Sequence, residues 1–370
     1  MSETIDFNSL SCSFIGLGLI GGSIAKALRN TYPGIRLTAY DPDNACILQA
    51  LDEQVLTQGE SGLTDALFDC DFLFLCAPVI HNDSMLSNIK KHLKPGTILT
   101  DVGSVKQTTH AAIEEAGLSH VFIGGHPMAG SEKTGFANAN PLLLENAYYI
   151  LTPTTQVDPD KVSVLKELIA GIGALPLILP YDKHDYITAA VSHLPHIISA
   201  CLVNLVEKSD DAEGLMKMIA AGGFKDITRI SSSSPVMWQS ICLTNTKNIR
   251  NLLDIYIKDL ETVRKELDTR SSQELYDLFD SAKEYRDSFA VGSHGPIKKV
   301  YAIHVDIPDI PGSLAQTANI LALHGLSIKN IGIMHSREFQ EGALRIEFYD
   351  EPTEQKAVEV LRKSHYTIYE

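Results

Sequence analysis

Two residues in the first half of the chain, His126 and Ser104, have side chains and surroundings suited to proton transfer. His126 lies in the stretch GGHPMAGSE and Ser104 in DVGSVK, and each follows a short apolar run typical of a buried strand. Open α/β sheets bind ligands at the carboxyl ends of such strands, so both side chains could face one ligand. A histidine can take the hydroxyl proton when a dehydrogenase removes hydride from the same carbinol carbon. A purely structural role for a histidine in a glycine-rich turn is an equal alternative at this point.

A second histidine pair, His193 and His196, occurs in SHLPH. Residues three apart share a face of a helix, although Pro195 places them in its first turn or at a kink. A metal site is the alternative, and it is disfavoured because the H-E-x-x-H pattern is absent. We therefore expect one histidine to face a substrate and the other to pack, and we predict no metal site.

The segment GGFKDITRI concentrates charge, with Lys225, Asp226 and Arg229 close together. Arginine is the preferred bidentate partner of a carboxylate, so Arg229 is a candidate for binding an acidic substrate. A solvated face of surface ion pairs is the alternative. The preceding glycines weaken it, because they suggest backbone held close to another group.

The sequence GLGLIG at 16–21 fits the pattern G-x-G-x-x-G. It follows an apolar strand, opens a helix, and has Asp41 20 residues beyond Gly21, which is the full dinucleotide-binding context. Gly16 permits the tight turn, Gly18 lets the backbone approach a pyrophosphate at the helix N-terminus, and Gly21 lets the helix pack on the strand. Asp41 would accept ribose hydroxyls and repel a 2′-phosphate, which favours NAD over NADP. A glycine-rich turn without a nucleotide is the alternative.

Small residues at the end of LCAP would leave room for the same cofactor, although an ordinary strand end explains them equally well. The predicted cofactor-binding residues are Gly16, Leu17, Gly18, Leu19, Ile20, Gly21, Asp41, Ala77 and Pro78.

The elements that must position these residues follow from the hydrophobic patterns. Strands such as SCSFIGLG and DFLFLCAP alternate with helical patterns over residues 1–180, which predicts an α/β fold with a Rossmann-type, doubly wound parallel sheet. Residues 181–290 show only helical periodicity, with apolar faces that suggest an all-helical dimerisation domain. Residues 291–297 read as a linker. Residues 298–370 follow a βαββαβ order, which predicts a ferredoxin-like module.

Composition narrows the class of protein further. The 370-residue chain has a formal net charge of −15, which argues against nucleic acid or an anionic membrane as the main partner. Its six scattered cysteines indicate free thiols in a reducing compartment. The chain has no run of about 18 apolar residues, and MSETIDFNSL does not read as a signal peptide. We therefore expect a cytoplasmic protein without a membrane span.

Taken together, GLGLIGGSIAKAL, DVGSVK, GGHPMAGSEKTG, SHLPH and GGFKDITRI resemble the prephenate dehydrogenase family over about residues 10–290. The stretch DIPDIPGSLAQTANILALHGLSIKNI resembles an ACT domain, a module that commonly binds regulatory amino acids. The resemblance implies NAD-dependent oxidative decarboxylation of prephenate to 4-hydroxyphenylpyruvate by a homodimer. It also implies regulation by tyrosine bound near Gly312 and Asn330, with a purely structural ACT module as the alternative.

The resemblance also assigns roles to single residues. His126 matches the histidine that hydrogen-bonds the ring hydroxyl of prephenate, and Ser104 matches the serine that orients this histidine and the hydroxyl. Arg229 matches the arginine that binds a side-chain carboxylate. The glycines beside His126 are then expected to let cofactor or substrate approach the backbone. The other matching positions are a pocket histidine, His196; a charged cluster at the pocket mouth, Glu132, Lys225 and Asp226; and Trp238, placed near the active site across the dimer.

Three other functions remain open from the sequence. An arogenate dehydrogenase, or an enzyme that accepts both cyclohexadienyl substrates, would use the same chemistry on the amino-acid form of the substrate. A β-hydroxyacid dehydrogenase or imine reductase shares the strand, glycine loop and helical domain but does not need the histidine and arginine motifs. A ligand-sensing regulator with an inert dinucleotide domain is the third, and the intact glycine loop with Asp41 argues against it.

Overall fold

The computed structural model describes residues 5–77, 79–131, 133–289, 301–308, 310–334 and 343–369. Two compact units make up the chain, Met1–Leu275 and Tyr276–Glu370. Three features from the sequence lie outside the described residues: Pro78, Glu132 and the predicted linker 291–297.

The first unit is built on an eight-stranded sheet in the order β3-β2-β1-β4-β5-β6-β7-β8. The strand order reverses between β1 and β4, which creates the crevice where open α/β sheets bind nucleotides. The strands are β1 Ser11–Ile15, β2 Arg36–Tyr40, β3 Gln58–Glu60, β4 Phe72–Leu75, β5 Ile98–Asp101, β6 Phe122–Pro127, β7 Tyr148–Pro153 and β8 Leu175–Ile178. The helices between them are α1 Leu19–Thr31, α2 Asn44–Asp52, α3 Asp65–Phe68, α4 Val79–His92, α5 Gln107–Glu115 and α6 Pro159–Gly171.

The sheet is parallel from β3 to β6, as predicted, but β7 runs antiparallel to β6. The chain returns from β6 through two short 3₁₀ turns, Phe136–Asn138 and Pro141–Leu143, and the described residues of this connection include no crossover helix of the kind that a parallel connection needs. The pairing places His126 opposite Ile150. His126 is therefore the penultimate residue of β6 and not a loop residue after the strand.

Both faces of the sheet are buried, which explains the continuous apolar runs in its strands. Phe72 and Phe74 of β4 point into one core cluster, whereas Leu73 and Leu75 point into the other. Phe74 stacks on Phe14 with ring centroids 5.1 Å apart. Each such buried side chain contributes about 1.5–3 kcal/mol, so the carboxyl ends of the strands form a rigid platform.

The rest of the first unit is helical, as predicted. Its helices are α7 Tyr181–Thr188, a π-helical turn Ala189–His193, α8 Leu194–Ser209, α9 Leu215–Ile219, α10 Gly222–Thr228, α11 Pro235–Thr244 and α12 Thr246–Thr269, followed by α13 Ser272–Ser288. The sequence pattern runs through 235–267 without a break, but the structure separates α11 from α12 at Asn245. The continuous helical stretch Tyr181–Ser209 is long and apolar enough to cross a membrane, although 22% of its most apolar window is buried inside the protein.

The second unit begins within α13, and after this helix its described part contains β9 Tyr301–Asp306, α14 Ser313–Leu323, β10 Asn330–Met334, β11 Ala343–Phe348, α15 Glu351–Lys363 and β12 Ile368–Tyr369. This is the predicted βαββαβ order. The four strands form an antiparallel sheet in the order β10-β11-β9-β12. Its core is apolar and includes Ile303, Val305, Leu344, Ile346 and Leu361.

Candidate active site

The glycine loop between β1 and α1 has the shape that a pyrophosphate requires. Gly16 has φ +97°, and a Cβ atom there would lie 2.8 Å from the amide nitrogen of Ala77. A Cβ on Gly21 would lie 2.6 Å from the carbonyl oxygen of Gly16, so this residue allows α1 to approach the turn. By contrast, a Cβ on Gly18 would meet no atom within 4 Å. Gly18 therefore borders open space, as expected of a residue that a ligand approaches.

The N-terminus of α1 suits an anion. Gly18 is its N-cap and provides no side-chain cap, and the first turn, which begins with Leu19 and Ile20, has no acidic residue. The unpaired N–H groups and the helix dipole favour negative charge there. These features fit the pyrophosphate of a dinucleotide.

Asp41 follows β2 and fastens the glycine loop. Its Oδ2 accepts a hydrogen bond from the Leu17 N–H at 2.7 Å, and its Oδ1 accepts one from the Asp43 N–H at 2.8 Å. An ionised carboxylate has about four acceptor positions, so two bonds leave capacity for ribose hydroxyls. Asp41 thus supports the loop as well as being available to a ligand.

His126 is held by a residue that sequence reasoning missed. Its Nδ1 lies 2.8 Å from Nε2 of His184, whereas its Nε2 has no hydrogen-bond partner among the described residues. Burial lowers the pKa of His126 well below the usual value, and positive charge on Lys106, or on His184 in its protonated form, lowers it further. His126 is therefore a neutral imidazole near neutral pH.

Ser104 does not hold this imidazole in the structure. It is half-buried in the loop after β5, and its hydroxyl makes no hydrogen bond within the described part of the chain. The expected orienting bond to His126 is made by His184 instead. The hydroxyl of Ser104 is left available to a bound molecule.

A buried carboxylate, Asp185, lies behind His184. Its Oδ1 is 2.8 Å from Nδ1 of His184, and its two oxygens accept bonds from the N–H groups of Lys106 and Gln107, each at 2.8 Å. His184 is 1% exposed and Asp185 is fully buried. His184 and Asp185 are neighbours in sequence, so their spacing does not indicate a site. Their partners His126 and Lys106 lie 58 and 79 residues away in sequence, so only the fold brings this group together.

A buried ion pair fixes the backbone next to His126. The Lys106 ammonium contacts Asp101 and donates to the carbonyl of Gly125 at 2.7 Å, while Asp101 Oδ1 accepts from the Gly125 N–H at 3.0 Å. Burial lowers the pKa of Lys106, and the charge of Asp101 opposes that effect. The peptide group before His126 is therefore held on both sides.

This packing corrects the expected role of the glycines beside His126. A Cβ on Gly124 would overlap the hydroxyl of Thr152, and a Cβ on Gly125 would overlap the carbonyl oxygen of Asp101. These glycines are required by neighbouring protein atoms and not by an approaching ligand. Gly130, further along the motif, borders open space.

The SHLPH segment lies in the π-helical turn and the start of α8, and such turns often mark functional sites. His193 is 1% exposed, and its Nδ1 lies 3.2 Å from the side-chain nitrogen of Asn245. Burial lowers the pKa of His193 to about 4. His196 is half-buried and donates from Nδ1 to the Ser192 carbonyl at 2.9 Å, which leaves its Nε2 as an acceptor.

His196 also forms a wall with Trp238. Their rings stack with centroids 3.7 Å apart and an interplanar angle of 24°, within one chain. The indole N–H is buried without a hydrogen-bond partner in the described residues. Burial lowers the pKa of His196, and the positive charge of Arg229 lowers it further. Arg229 therefore lies near this wall.

The charged segment itself is exposed. Lys225 and Asp226 lie in α10, whereas Arg229 begins a 3₁₀ turn, Arg229–Ser232, so the three residues are divided between two elements. Within the described residues, no ion pair joins the three. The turn is tied to α8 by a 2.6 Å bond between the hydroxyls of Ser231 and Ser199. The guanidinium is free to bind an acidic molecule.

In the second unit, Gly312 is the N-cap of α14 and Asn330 begins β10. A cavity of about 310 Å³ lies beside Gly312 and includes Asp306, Ile310, Ser313 and Tyr366 in its lining. Oδ1 of Asp306 is buried without a hydrogen-bond partner among the described residues. Asn330 does not line this cavity.

Comparison with known proteins covers both parts of the first unit. Residues 24–176 match the family "Prephenate dehydrogenase, nucleotide-binding domain", and residues 180–281 match "Prephenate dehydrogenase, dimerization domain". Prephenate dehydrogenase of Bacillus subtilis (strain 168) is 37% identical over 358 residues, which cover 96% of each chain.

Solved structures give the same result. Aquifex aeolicus prephenate dehydrogenase in complex with hydroxyphenyl propionate and NAD⁺ is similar with a TM-score of 0.72 and 29% identity, over 78% of this chain and all of that chain. Synechocystis arogenate dehydrogenase is similar with a TM-score of 0.68 and 28% identity, over 76% of this chain and all of that chain.

Proposed function

The chain belongs to the prephenate dehydrogenase family and is an NAD-dependent oxidoreductase of tyrosine biosynthesis, and from this premise we propose how its own residues perform the reaction. The reaction converts prephenate to 4-hydroxyphenylpyruvate and CO₂. Family membership sets aside the hydroxyacid dehydrogenase and the inert regulator. NAD, when bound at the glycine loop, accepts the hydride.

One observation carries the assignment of the base. His126 stands at the carboxyl end of β6, with Nδ1 held by His184 and Nε2 unpaired within the described residues. A neutral imidazole with one fixed nitrogen and one free lone pair is suited to accept the ring hydroxyl proton of prephenate. Loss of that proton, of hydride from the same carbon and of CO₂ from the opposite ring carbon leaves an aromatic phenolate, which takes the proton back from His126 to give 4-hydroxyphenylpyruvate. Aromatisation supplies the driving force, so the protein mainly has to orient the substrate and take the proton.

The remaining residues position the dianionic substrate. We propose that Arg229 binds a carboxylate, since its guanidinium is exposed and unpaired among the described residues and can make two parallel bonds. His196 and Trp238 form a flat wall beside it, with Nε2 of His196 as an acceptor. Ser104 donates to or accepts from the ring hydroxyl opposite His126. Lys225 adds local positive potential to an otherwise acidic protein.

The assay that tests this function follows NADH absorbance with prephenate and with arogenate, using NAD or NADP in parallel. We expect the highest kcat/KM with prephenate and NAD. A higher kcat/KM on arogenate than on prephenate would show that arogenate is the preferred substrate. We test arogenate because the Synechocystis arogenate dehydrogenase shares the fold. No reduction with either substrate would refute the function.

For the second unit we propose an ACT regulatory domain that binds tyrosine. Its βαββαβ order and antiparallel sheet support this, and alignment with 96% of the Bacillus chain includes most of this unit. The cavity beside Gly312 is lined in part by Asp306, whose carboxylate would attract an amino group. Tyrosine should inhibit the full-length enzyme, and Asp306→Asn should weaken inhibition without changing uninhibited kcat. Inhibition that is unchanged in this variant and in a chain truncated at 290 would refute the proposal.

We also propose a cytoplasmic homodimer. Large apolar side chains on the helical region are exposed in the single chain, including Val191, Leu205, Val236, Leu243 and Leu267. A partner subunit that covers these side chains accounts for the apolar character of Tyr181–Ser209 without a membrane. Sedimentation analysis should give twice the chain mass.

A further inference from the structure

His184 has no part in the function proposed above except that it touches His126. It is almost completely buried on α7, and both of its ring nitrogens are engaged, one with His126 and one with Asp185, each at 2.8 Å. A buried histidine between a carboxylate and a catalytic histidine is an arrangement that sets which nitrogen carries the proton. The three side chains form a line, which we call the Asp185–His184–His126 chain.

The direction of the hydrogen bonds along this chain follows from its inner end. Asp185 accepts from the N–H groups of Lys106 and Gln107, which is the pattern of an ionised carboxylate that can only accept. In the remaining contact Asp185 therefore accepts a hydrogen bond from Nδ1 of His184, which carries the proton. In a neutral His184, Nε2 is then an acceptor, and Nδ1 of His126 must donate to it. Nε2 of His126 is left with its lone pair exposed to the site.

We propose that His184 and Asp185 are positioning residues that hold His126 in this tautomer and stabilise the positive charge it gains during turnover. The inference rests on the proposed role of His126 as base. In the step concerned, the substrate O–H bond breaks, its proton forms a bond with Nε2 of His126, and hydride leaves the same carbon for NAD. The hydrogen bond from Nδ1 of His126 to His184 becomes charge-assisted. The negative charge of Asp185, which is two hydrogen bonds from His126, balances the new positive charge.

Other charged or titratable groups also face His126, and they act in the opposite direction. His193 of the π-helical turn and Lys106 of the loop before α5 both disfavour a charged imidazole. His184 would do the same if it carried a proton on both nitrogens. The sign of the effect of His184 on His126 therefore distinguishes a neutral acceptor from a charged neighbour.

Two substitutions at His184 separate these possibilities. His184→Gln keeps an amide oxygen near the position of Nε2, whereas His184→Leu fills the space without an acceptor. We expect His184→Leu to lower kcat about 100-fold and His184→Gln to retain at least about tenfold more activity, with KM for prephenate little changed. The acidic limb of the kcat–pH profile should move to lower pH in His184→Leu, because the charged form of His126 loses its stabilising acceptor. Equal kcat values for the two variants, or a shift of the limb to higher pH, would overturn the proposal.

A matched control is His110→Gln. His110 is another buried histidine, bonded to the Thr152 hydroxyl at 2.9 Å and outside the Asp185–His184–His126 chain. It should alter thermal stability but leave kcat and the position of the acidic limb unchanged. A control that moved the limb as far as His184→Leu does would show that any buried histidine has this effect, which would also overturn the proposal.

Nitrogen NMR of ¹⁵N-histidine-labelled protein tests the tautomer without substrate or turnover. Both His184 and His126 should carry their proton on Nδ1, and the His126 signals should change in His184→Leu. A proton on Nε2 of His126 in the wild-type protein would refute the proposed chain. A wild-type enzyme inactive on prephenate and arogenate would refute the proposed function instead, and the NMR result would still decide whether the chain of bonds exists.

Discussion

Two glycines of the glycine loop, Gly16 and Gly18, have opposite surroundings. Substitutions at these two positions therefore separate an effect on folding from an effect on cofactor binding. The substitution Gly16→Ala would place a residue with a Cβ atom at φ +97°. That Cβ atom would lie 2.8 Å from the amide nitrogen of Ala77. The left-handed conformation costs about 1–2 kcal/mol, and overlap with fixed backbone adds about 1–3 kcal/mol. Gly16→Ala should therefore destabilise the first unit by about 2–5 kcal/mol. At roughly 2–4 °C per kcal/mol, its Tm should fall by about 5–15 °C.

Gly18→Ala should behave in the opposite way. Its backbone has an ordinary φ of −79°, and the new methyl group would meet no protein atom within 4 Å. Stability should change by less than about 0.5–1 kcal/mol. If the pyrophosphate lies against this residue, the Kd for NADH should rise at least about tenfold, which corresponds to about 1.4 kcal/mol.

The measurements are thermal unfolding without ligand and fluorescence titration with NADH. Gly62→Ala is the matched control, since its methyl group would also meet open space but lies outside the loop. It should change neither Tm nor Kd. A Gly18→Ala protein that binds NADH as tightly as wild type would refute the placement of the pyrophosphate at this residue. An unchanged Tm for Gly16→Ala would refute the steric argument independently.

Three further predictions concern the histidines and the arginine. His126→Asn should lower kcat by about 10²–10⁴ with an unchanged Kd for NADH, and near-normal turnover would remove His126 from the mechanism. Arg229→Ala should raise the KM for prephenate at least about tenfold with little change in kcat, and Lys225→Ala should raise it less. Equal KM values for wild type and Arg229→Ala would contradict the carboxylate contact. His110 and His193 have pKa values lowered by burial to about 4, so the unfolded chain takes up their protons first, at a pKa of about 6.5. Stability should be complete above about pH 6.5 and fall toward pH 4 by up to about 3 kcal/mol for each of the two. Tm measured across this range should fall less steeply in His110→Gln, and an identical slope would contradict the burial argument.

The features that the sequence predicted correctly are those encoded by short-range patterns. Short apolar runs predict the buried strands of the large sheet, and the strand they miss is the short polar β3, Gln58–Glu60. The glycine loop could be predicted because Gly16 and Gly21 are required by atoms of the loop itself and of the adjoining strand end. The antiparallel direction of β7 could not be predicted from its sequence pattern, because it depends on the path of the connection from β6.

The break at Asn245 shows why the helical region was harder to predict. The apolar periodicity continues through it, but Asn245 leaves helical geometry, and its side-chain amide donates to the carbonyl of Asp185 at 2.8 Å and approaches His193. Asn245 keeps backbone hydrogen bonds to Ile241 and Ile249, so the break depends on its two long-range side-chain contacts, which have no signature in local propensity. His184 was missed for the same reason, because its contact with His126 of β6 is long-range and has no signal in the local sequence.

The two family matches meet between residues 176 and 180, yet the candidate site is built across that border. Asp185 belongs to the helical part, but its carboxylate caps the N–H groups of Lys106 and Gln107, which lie at the start of α5 in the nucleotide-binding part. His184 reaches His126 from the same side, and Asn245 holds the carbonyl of Asp185 from α12's first turn. The orientation of the His126 imidazole is therefore set by the helical part and not by the sheet that carries it. A nucleotide-binding part cut off from α7 would keep the glycine loop and lose the contact that fixes Nδ1 of His126, so cofactor binding and proton transfer depend on different portions of one unit.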